Sequence, residues 1–291
     1  MLDLLRKSLL RRPLARRLAG AVVRRFIPEY LHVDGVRVAM NQRDPVVCGA
    51  LAFRQYEREE LRFVRAVVRP GMRVVDVGAN VGLYTALFAS RVGEGGLVIA
   101  LEPDPVSYHF LTKTVEANAF RNCHLLRAGA SNAKGTATLY TSSENRGDNR
   151  LYQNATADGS VQVETVALDE VLPTMGISSI DFLKMDVQGF EGHAAEGLRE
   201  TLRRSPGLIA MVEFWPDGLS QAGSNPLDLL QLFRGLGFTI CRLHGREGLI
   251  RVSDDRALIQ EHPGWSYANL VLLGPDATVY PSTGAASRGR R

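Results

Sequence analysis

Along most of this chain, short apolar runs alternate with longer segments of mixed polarity, the pattern of a sheet whose strands are separated by helices. Met72–Val77, Gly96–Glu102, Cys123–Ala128, Asp181–Met185 and Leu208–Phe214 read as strands. Gly82–Arg91, Pro105–Ala119, Gly192–Arg203 and Pro226–Gly235 read as the helices between and after them. Thr136–Thr141 and Val161–Leu168 alternate as half-buried strands do, and the polar stretch between them, SSENRGDNRLYQNATADGS, reads as a mobile loop. Phe238–Leu243 and Asn269–Leu273 can close the sheet as a pair. Upstream, residues 31–51 read as short strands, LHVDGVRVAM and then PVVCGAL, and Tyr56–Val68 reads as a helix stopped by Pro70 and Gly71.

In residues 1–27, Leu10, Leu14, Leu18, Val22 and Phe26 recur every four positions and give one helical stripe, interrupted by Pro13. The tail from Pro281 is rich in Ser, Gly and Arg and reads as disordered. The expected organisation is therefore a basic amphipathic segment (1–27), a lead-in of strands and a helix (28–70), an α/β domain (71–275) and a tail (276–291).

Composition narrows the class. At 291 residues, 45% hydrophobic and 23% charged, the chain has the balance of a globular protein large enough to need no disulfide staple. No run approaches the ~18 apolar residues of a spanning helix. The three cysteines, Cys48, Cys123 and Cys241, have no zinc spacing and are odd in number, which favours a reducing, cytoplasmic location. The net charge of +4 is unevenly spread: residues 1–25 hold eight basic side chains and one acid, so the remainder is slightly acidic. The basic pI is thus no reason to assign a nucleic-acid partner to the body. The N-terminal segment has three open readings: a helix packed on the body, a peripheral helix on an anionic membrane surface, or a cleaved organellar presequence.

The sharpest chemical signal is VVDVGANVGLYT, Val74 to Thr85. A buried strand ends at Val77, Gly78 allows the tight turn, and Gly82 lets the next helix approach closely. Backbone N–H groups of Ala79 and Asn80 then face a ligand at the strand's carboxyl end. A dinucleotide site wants G-x-G-x-x-G, but Asn80 stands where the middle glycine would be. Asp76 before the turn would repel a pyrophosphate and suit a cationic sulfonium, the charge pattern of S-adenosylmethionine. Glu102, 20 residues after Gly82 at the end of the second strand, can accept both ribose hydroxyls, with Pro103 ending the strand. Arg127-Ala128-Gly129-Ala130 is placed to border an adenine, with Ala130 at its edge.

The second signal is IDFLKMDVQGFEG, Ile180 to Gly192, which crowds Lys184, Asp186, Gln188 and Glu191 around another strand end. The next strand, LIAMVEF, carries Glu213 near its end. Methyl transfer to a hydroxyl needs alignment, exclusion of water and a group that takes the hydroxyl proton. Asp186 is the first candidate for that base, or for a ligand of a divalent cation, with Glu213 its partner. The two carboxylates have no third ligand at matching spacing, so a metal-free base is the preferred expectation. An ion pair of Asp186 with Lys184 at the sheet edge is the purely structural alternative. His193 reads as a capping or surface histidine.

Taken together, VVDVGANVG, ALEPDP, VALDEVL, DFLKMDVQGFE and VEF resemble the FkbM family of S-adenosylmethionine-dependent methyltransferases, over about Gly49 to Gly274. Tyr56-Glu57 looks like that family's aromatic–Glu lead-in and adds Glu57 to the cofactor side. Gln188 departs from the acid usual there, which moves weight to Asp186 and Glu191. The resemblance implies a class I methyltransferase fold, Rossmann-like, with a seven-stranded, mostly parallel sheet, an antiparallel last strand and helices on both faces. It also implies O-methylation of a hydroxyl on a sugar, glycolipid or secondary metabolite. The rival readings are an NAD(P)-dependent oxidoreductase and a non-catalytic module that retains the cofactor pocket.

Overall fold

The computed structural model describes residues 20–53, 57–153, 155, 157–244 and 248–278. Expectations for residues 1–19, Tyr56 and the tail from residue 279 lie outside the described residues. Among the described residues, no helix is long and apolar enough to cross a membrane.

The chain enters through a helical turn at residues 20–24 and a hairpin of β1 (Tyr30–Val33) and β2 (Val36–Ala39). The segment PVVCGAL, expected as a strand, is instead the helix Val47–Ala52. Asp44 explains the difference: its Oδ1 accepts the N–H groups of Val46 and Val47 and so satisfies the first donors of a helical turn. The helix Arg58–Val67 follows. It buries Leu61, Phe63, Val64 and Val67, exposes Arg58, Glu59 and Arg62, and lets Glu60 accept from Asn269 at 2.6 Å.

The main sheet contains β3 (Arg73–Val77), β4 (Leu97–Leu101), β5 (Cys123–Leu126), β9 (Phe182–Met185), β10 (Ile209–Phe214), β11 (Thr239–His244), β12 (Gly248–Arg251) and β13 (Ala268–Leu273). Its order is β12-β11-β13-β10-β9-β3-β4-β5. Strands β10, β9, β3, β4 and β5 pair in parallel, and β13 runs antiparallel between β10 and β11. This is the expected class I arrangement with a correction: the sheet has eight strands, because the chain after β11 doubles back as β12. A further sheet, β6 (Gly129–Ala130), β8 (Gly159–Val166) and β7 (Gly135–Thr141), stands beside it.

The two-residue period of the strands sorts the core onto the two faces. Val75 and Val77 of β3 join Leu183 and Met185 of β9 on one face, under helices that include Leu168–Thr174 and Pro226–Gly235. Val74 and Phe182 face the other way, against Phe63, Phe88 and the hairpin residues Val36 and Val38. The lead-in is thus built into the same core as the sheet. The expected helix Gly192–Arg203 is two short ones, Glu191–Glu196 and Arg199–Arg203. The break falls where Gly197 packs so closely on Ser131 that a Cβ would lie 1.9 Å from its carbonyl oxygen.

The loop between β7 and β8 also departs from expectation. Its described residues pack down: Arg150 is 1% exposed, and Arg146 donates to Asp104 at 2.8 Å. The Arg146 N–H reaches Asp44 at 3.2 Å, tying this strap to the lead-in.

Candidate active site

A cleft of about 290 Å³ opens at the carboxyl ends of β3, β4, β9 and β10, where ligands bind in open α/β sheets. Its wall includes Glu57, Gly78, Ala79, Asn80, Glu102, Pro103 and Ala130, and it continues to Lys184, Asp186, Gln188 and Glu213. The strap residues Asn145 to Gly147 close one side.

At the first strand end, Gly78 has φ +82°, and a Cβ there would sit 1.9 Å from the Asp186 carbonyl oxygen. Only glycine fits that approach. Asn80 also takes a left-handed φ of 50°, which turns its N–H to Glu102. Glu102 Oε2 accepts from Asn80 N and Oε1 from Asp104 N, both at 2.8 Å. Burial pushes its carboxyl up to about 8, against the lowering effect of those two N–H groups. Each oxygen retains acceptor capacity beyond its backbone bond.

Asp76 and Gly82 are not in the wall. Gly82 begins the helix Leu83–Val92 and packs against Leu111 and Thr114. Asp76 is fully buried, its Oδ2 accepting from Thr85 Oγ1 at 2.6 Å while Oδ1 has no hydrogen-bond partner. It is registered opposite Lys184 of β9. The sulfonium-facing placement expected for Asp76 is therefore corrected: its nearest counterion is an internal ammonium, because its side chain points into the face occupied by the Leu83–Val92 helix.

Lys184 is the electrostatic centre. It is 5% exposed, lies 3.5 Å from Asp186 and 5.0 Å from the Tyr84 ring centroid, and is surrounded by Asp76, Glu57 and Glu213. Those carboxylates, Asp186 first, outweigh desolvation and hold its ammonium above its ordinary range. Glu57 accepts from Tyr84 Oη at 2.6 Å, and burial lifts it to about 7 even with Lys184 nearby.

On the reaction side, Gln188 donates one amide nitrogen to both Asp186 Oδ1 (2.7 Å) and Glu213 Oε1 (3.1 Å). Burial raises Glu213 well above the ordinary carboxylate range, and Asp186 and Glu191 push the same way. Glu191 is fully buried outside the cleft wall, accepting from Val187 N at 2.9 Å and Gly189 N at 3.0 Å. Its position is that of a brace for the loop 187–189, with its carboxyl raised to about 7 by burial. The expectation of no third carboxylate at matching spacing is corrected, since oxygens of Asp186, Glu191 and Glu213 lie within 4.8 Å of one another. The donors already there are the Gln188 amide, two backbone N–H groups and the Lys184 ammonium. His193 rests on Phe190, with Nε2 3.0 Å from the Ala222 carbonyl oxygen, away from the cleft wall.

Sequence patterns did not point to the aromatic group at the reaction end. Trp215, just beyond Glu213, stacks on Trp265 with centroids 5.0 Å apart and planes 20° apart. The Arg150 guanidinium lies 4.6 Å and 4.9 Å from their centroids, and Tyr267 reaches the cleft wall. A tryptophan two positions after a strand-end acid was the one available signal.

This sheet, with an open cleft at the parallel strand ends and an antiparallel strand beside β10, has the class I methyltransferase arrangement. A family model described as "Methyltransferase FkbM domain" matches residues 76–240, more than half of the chain, and the chain belongs to that family. It is 32% identical over 157 residues to the methyltransferase sdnD of Sordaria araneosa, covering 44% of this chain and 60% of that protein. It is 25% identical over 157 residues to the hexuronic acid methyltransferase AglP of Haloferax volcanii, covering 54% and 59%. The chain thus spans about 60% of the length of these curated relatives. Among solved structures it is similar to an S-adenosylmethionine-dependent methyltransferase from Aquifex aeolicus, with 14% identity, a TM-score of 0.40 and coverage of 74% and 89%.

Proposed function

We propose that this chain is an S-adenosylmethionine-dependent O-methyltransferase that modifies a hydroxyl of a sugar, glycolipid or secondary metabolite. The observation that carries the reading is the joining, in one cleft, of the Gly78–Glu102 end to the Asp186–Gln188–Glu213 end. The residue that fits the cofactor best is Glu102, which keeps lone pairs for two vicinal hydroxyls; the expectation that the Ala79 and Asn80 N–H groups face a ligand is corrected, because they bond to Leu101 O and Glu102 Oε2. Glu57, Ala79, Asn80, Pro103 and Ala130 complete that end, while Asp76 and Gly82 act from behind it. Bound there, S-adenosylmethionine supplies an electrophilic methyl group on a sulfonium.

The chain's own contribution is positioning and proton transfer. Asp186 is held by Lys184 and Gln188 at the cleft wall and takes the acceptor's hydroxyl proton as the new C–O bond forms. Gln188 keeps Glu213 beside it, and Glu191 fixes the loop that carries Gln188. The metal-free version is favoured because a divalent cation would have to displace the Gln188 amide and compete with two backbone N–H groups for Glu191. The printed role of one relative, a hexuronic acid methyltransferase, supports a sugar-type acceptor. We assign the catalytic domain to 71–275, with 28–70 as its lead-in, in the cytoplasm, and a peripheral membrane contact to residues 1–27.

Calorimetry with S-adenosylmethionine and with NAD(P) tests the cofactor; binding of NAD(P) alone would overturn the assignment. Labelled methyl transfer into a fractionated extract of the source cell then identifies the acceptor, and binding without any transfer would leave a non-catalytic module.

A further inference from the structure

The cleft wall reaches solvent at Tyr267, which is 53% exposed, and two residues earlier Trp265 is 67% exposed. Single exposed apolar side chains are common, but neighbouring exposed aromatics at the mouth of a cleft form the kind of patch that marks a binding site. These two are also held in place. Trp265 stacks on Trp215, and the Trp215 indole N–H donates to the Gly264 carbonyl at 2.5 Å. Arg150, buried and ion-paired with Asp148, touches both indoles and Tyr152. Tyr152 in turn donates to the Gln188 carbonyl at 2.9 Å. The platform and the reaction-side loop are therefore built as one piece.

Charge selects what can lie there. The cleft-wall cations among the described residues are Lys184 and Arg146, and both are committed, to Asp186 and to Asp104. The reaction end presents Asp186, Glu213 and Gln188. An anionic acceptor would bring a further carboxylate against Asp186 and Glu213, with no free cation among the described cleft residues to meet it. A saccharide ring has apolar C–H faces for an aromatic surface and hydroxyls for carboxylate and amide acceptors. Among the described residues Trp265 stacks on Trp215 on one face and is 67% exposed, which suits a ring with one apolar face better than a flat aromatic acceptor.

We propose that Trp265 and Tyr267 form the acceptor subsite and that it takes an uncharged saccharide ring, directing one hydroxyl to Asp186. This rests on the methyltransferase reading above and narrows its acceptor. The test uses the full chain and calorimetry in the presence of S-adenosylhomocysteine. The probes are methyl glycosides of neutral hexoses, the matching uronic acid glycosides, and a simple phenol. A neutral glycoside binds at least ~10-fold more tightly than its uronate. Trp265→Ala weakens it by at least ~10-fold, Trp265→Phe recovers most of the loss, and affinity for S-adenosylmethionine is unchanged throughout. Failure of every neutral glycoside to bind, equal or tighter binding of the uronate or the phenol, or indifference to Trp265→Ala overturns the subsite. Failure of the wild-type chain to bind S-adenosylmethionine would instead sink the methyltransferase reading.

Discussion

Glu102 and Asn80 stand on different strand ends, and the Glu102 carboxylate accepts the Asn80 backbone N–H at 2.8 Å. That bond holds the first loop in the left-handed turn that Asn80 occupies. The proposed ribose contact and the shape of the glycine loop therefore depend on one side chain. Each bond to the Glu102 carboxyl is worth about 0.5–1.5 kcal/mol while it is neutral and about 1.5–3 kcal/mol once ionised. Glu102→Ala should weaken S-adenosylmethionine binding by at least ~10-fold, and Glu102→Gln by less. Calorimetry showing wild-type affinity for the alanine variant would remove the ribose assignment.

Gly78→Ala should be more severe than its size suggests. The added methyl would overlap the Asp186 carbonyl oxygen at 1.9 Å, and φ +82° is strained for any other residue. We expect a loss of about 1–3 kcal/mol or more of stability, together with loss of cofactor binding. A denaturation midpoint equal to wild type would show that the two loops can move apart.

Six buried carboxyls among the described residues sit above their ordinary range: Asp44 at about 6, Glu57 and Glu191 at about 7, Glu102 at about 8, and Asp76 and Glu213 raised as well. Desolvation is the first cause in each. A folded value above the unfolded one means that the native state binds the proton more tightly. These groups therefore contribute stability at low pH that is lost as pH rises through roughly 6–8. The ligand-free protein should have a lower urea midpoint at pH 8.5 than at pH 5.5, and Glu191→Gln should flatten the slope. A midpoint that rises over the same interval would contradict this.

Asp186→Asn should cut methyl transfer by at least ~100-fold while cofactor affinity stays nearly unchanged. Chelator should leave wild-type turnover intact. Loss of turnover with chelator and recovery with Mg²⁺ would convert Asp186 and Glu213 into metal ligands. Full turnover in the asparagine variant would remove Asp186 from the chemistry.

Truncation of the N-terminus must stop before residue 20, because Ile27 is 3% exposed and Val23 packs so closely on Gly49 that a Cβ there would clash. Removing residues 1–19 should leave cofactor binding unchanged and reduce flotation with anionic vesicles. Equal flotation of both forms would exclude a membrane role for that segment.

What the sequence disclosed and what it hid follow a physical division. Gly78, Glu102 and Asp186 were legible because strand period and fixed spacing place them at one sheet edge whatever the details of packing. Asp76 was misplaced because its side chain lies on the face covered by the Leu83–Val92 helix, and only the register with Lys184 reveals that. The strand expected over Pro45–Leu51 is replaced by the helix Val47–Ala52, because Asp44 satisfies the first N–H donors of that turn. The eighth strand is a four-residue edge piece with little pattern of its own. Arg150, Trp265 and Tyr267 sit in loops without a period, so nothing along the chain announces that they meet.

The near-contact between Gly78 and the Asp186 carbonyl has a consequence for how such a chain can change its target. The loop that would grip the methyl donor and the loop that would activate the recipient are wedged against each other, so neither tolerates remodelling without disturbing its neighbour. New recipients must therefore be accommodated at the rim, through the strap around Arg146 and the turn that carries Trp265, where side chains can be exchanged while the central machinery stays fixed.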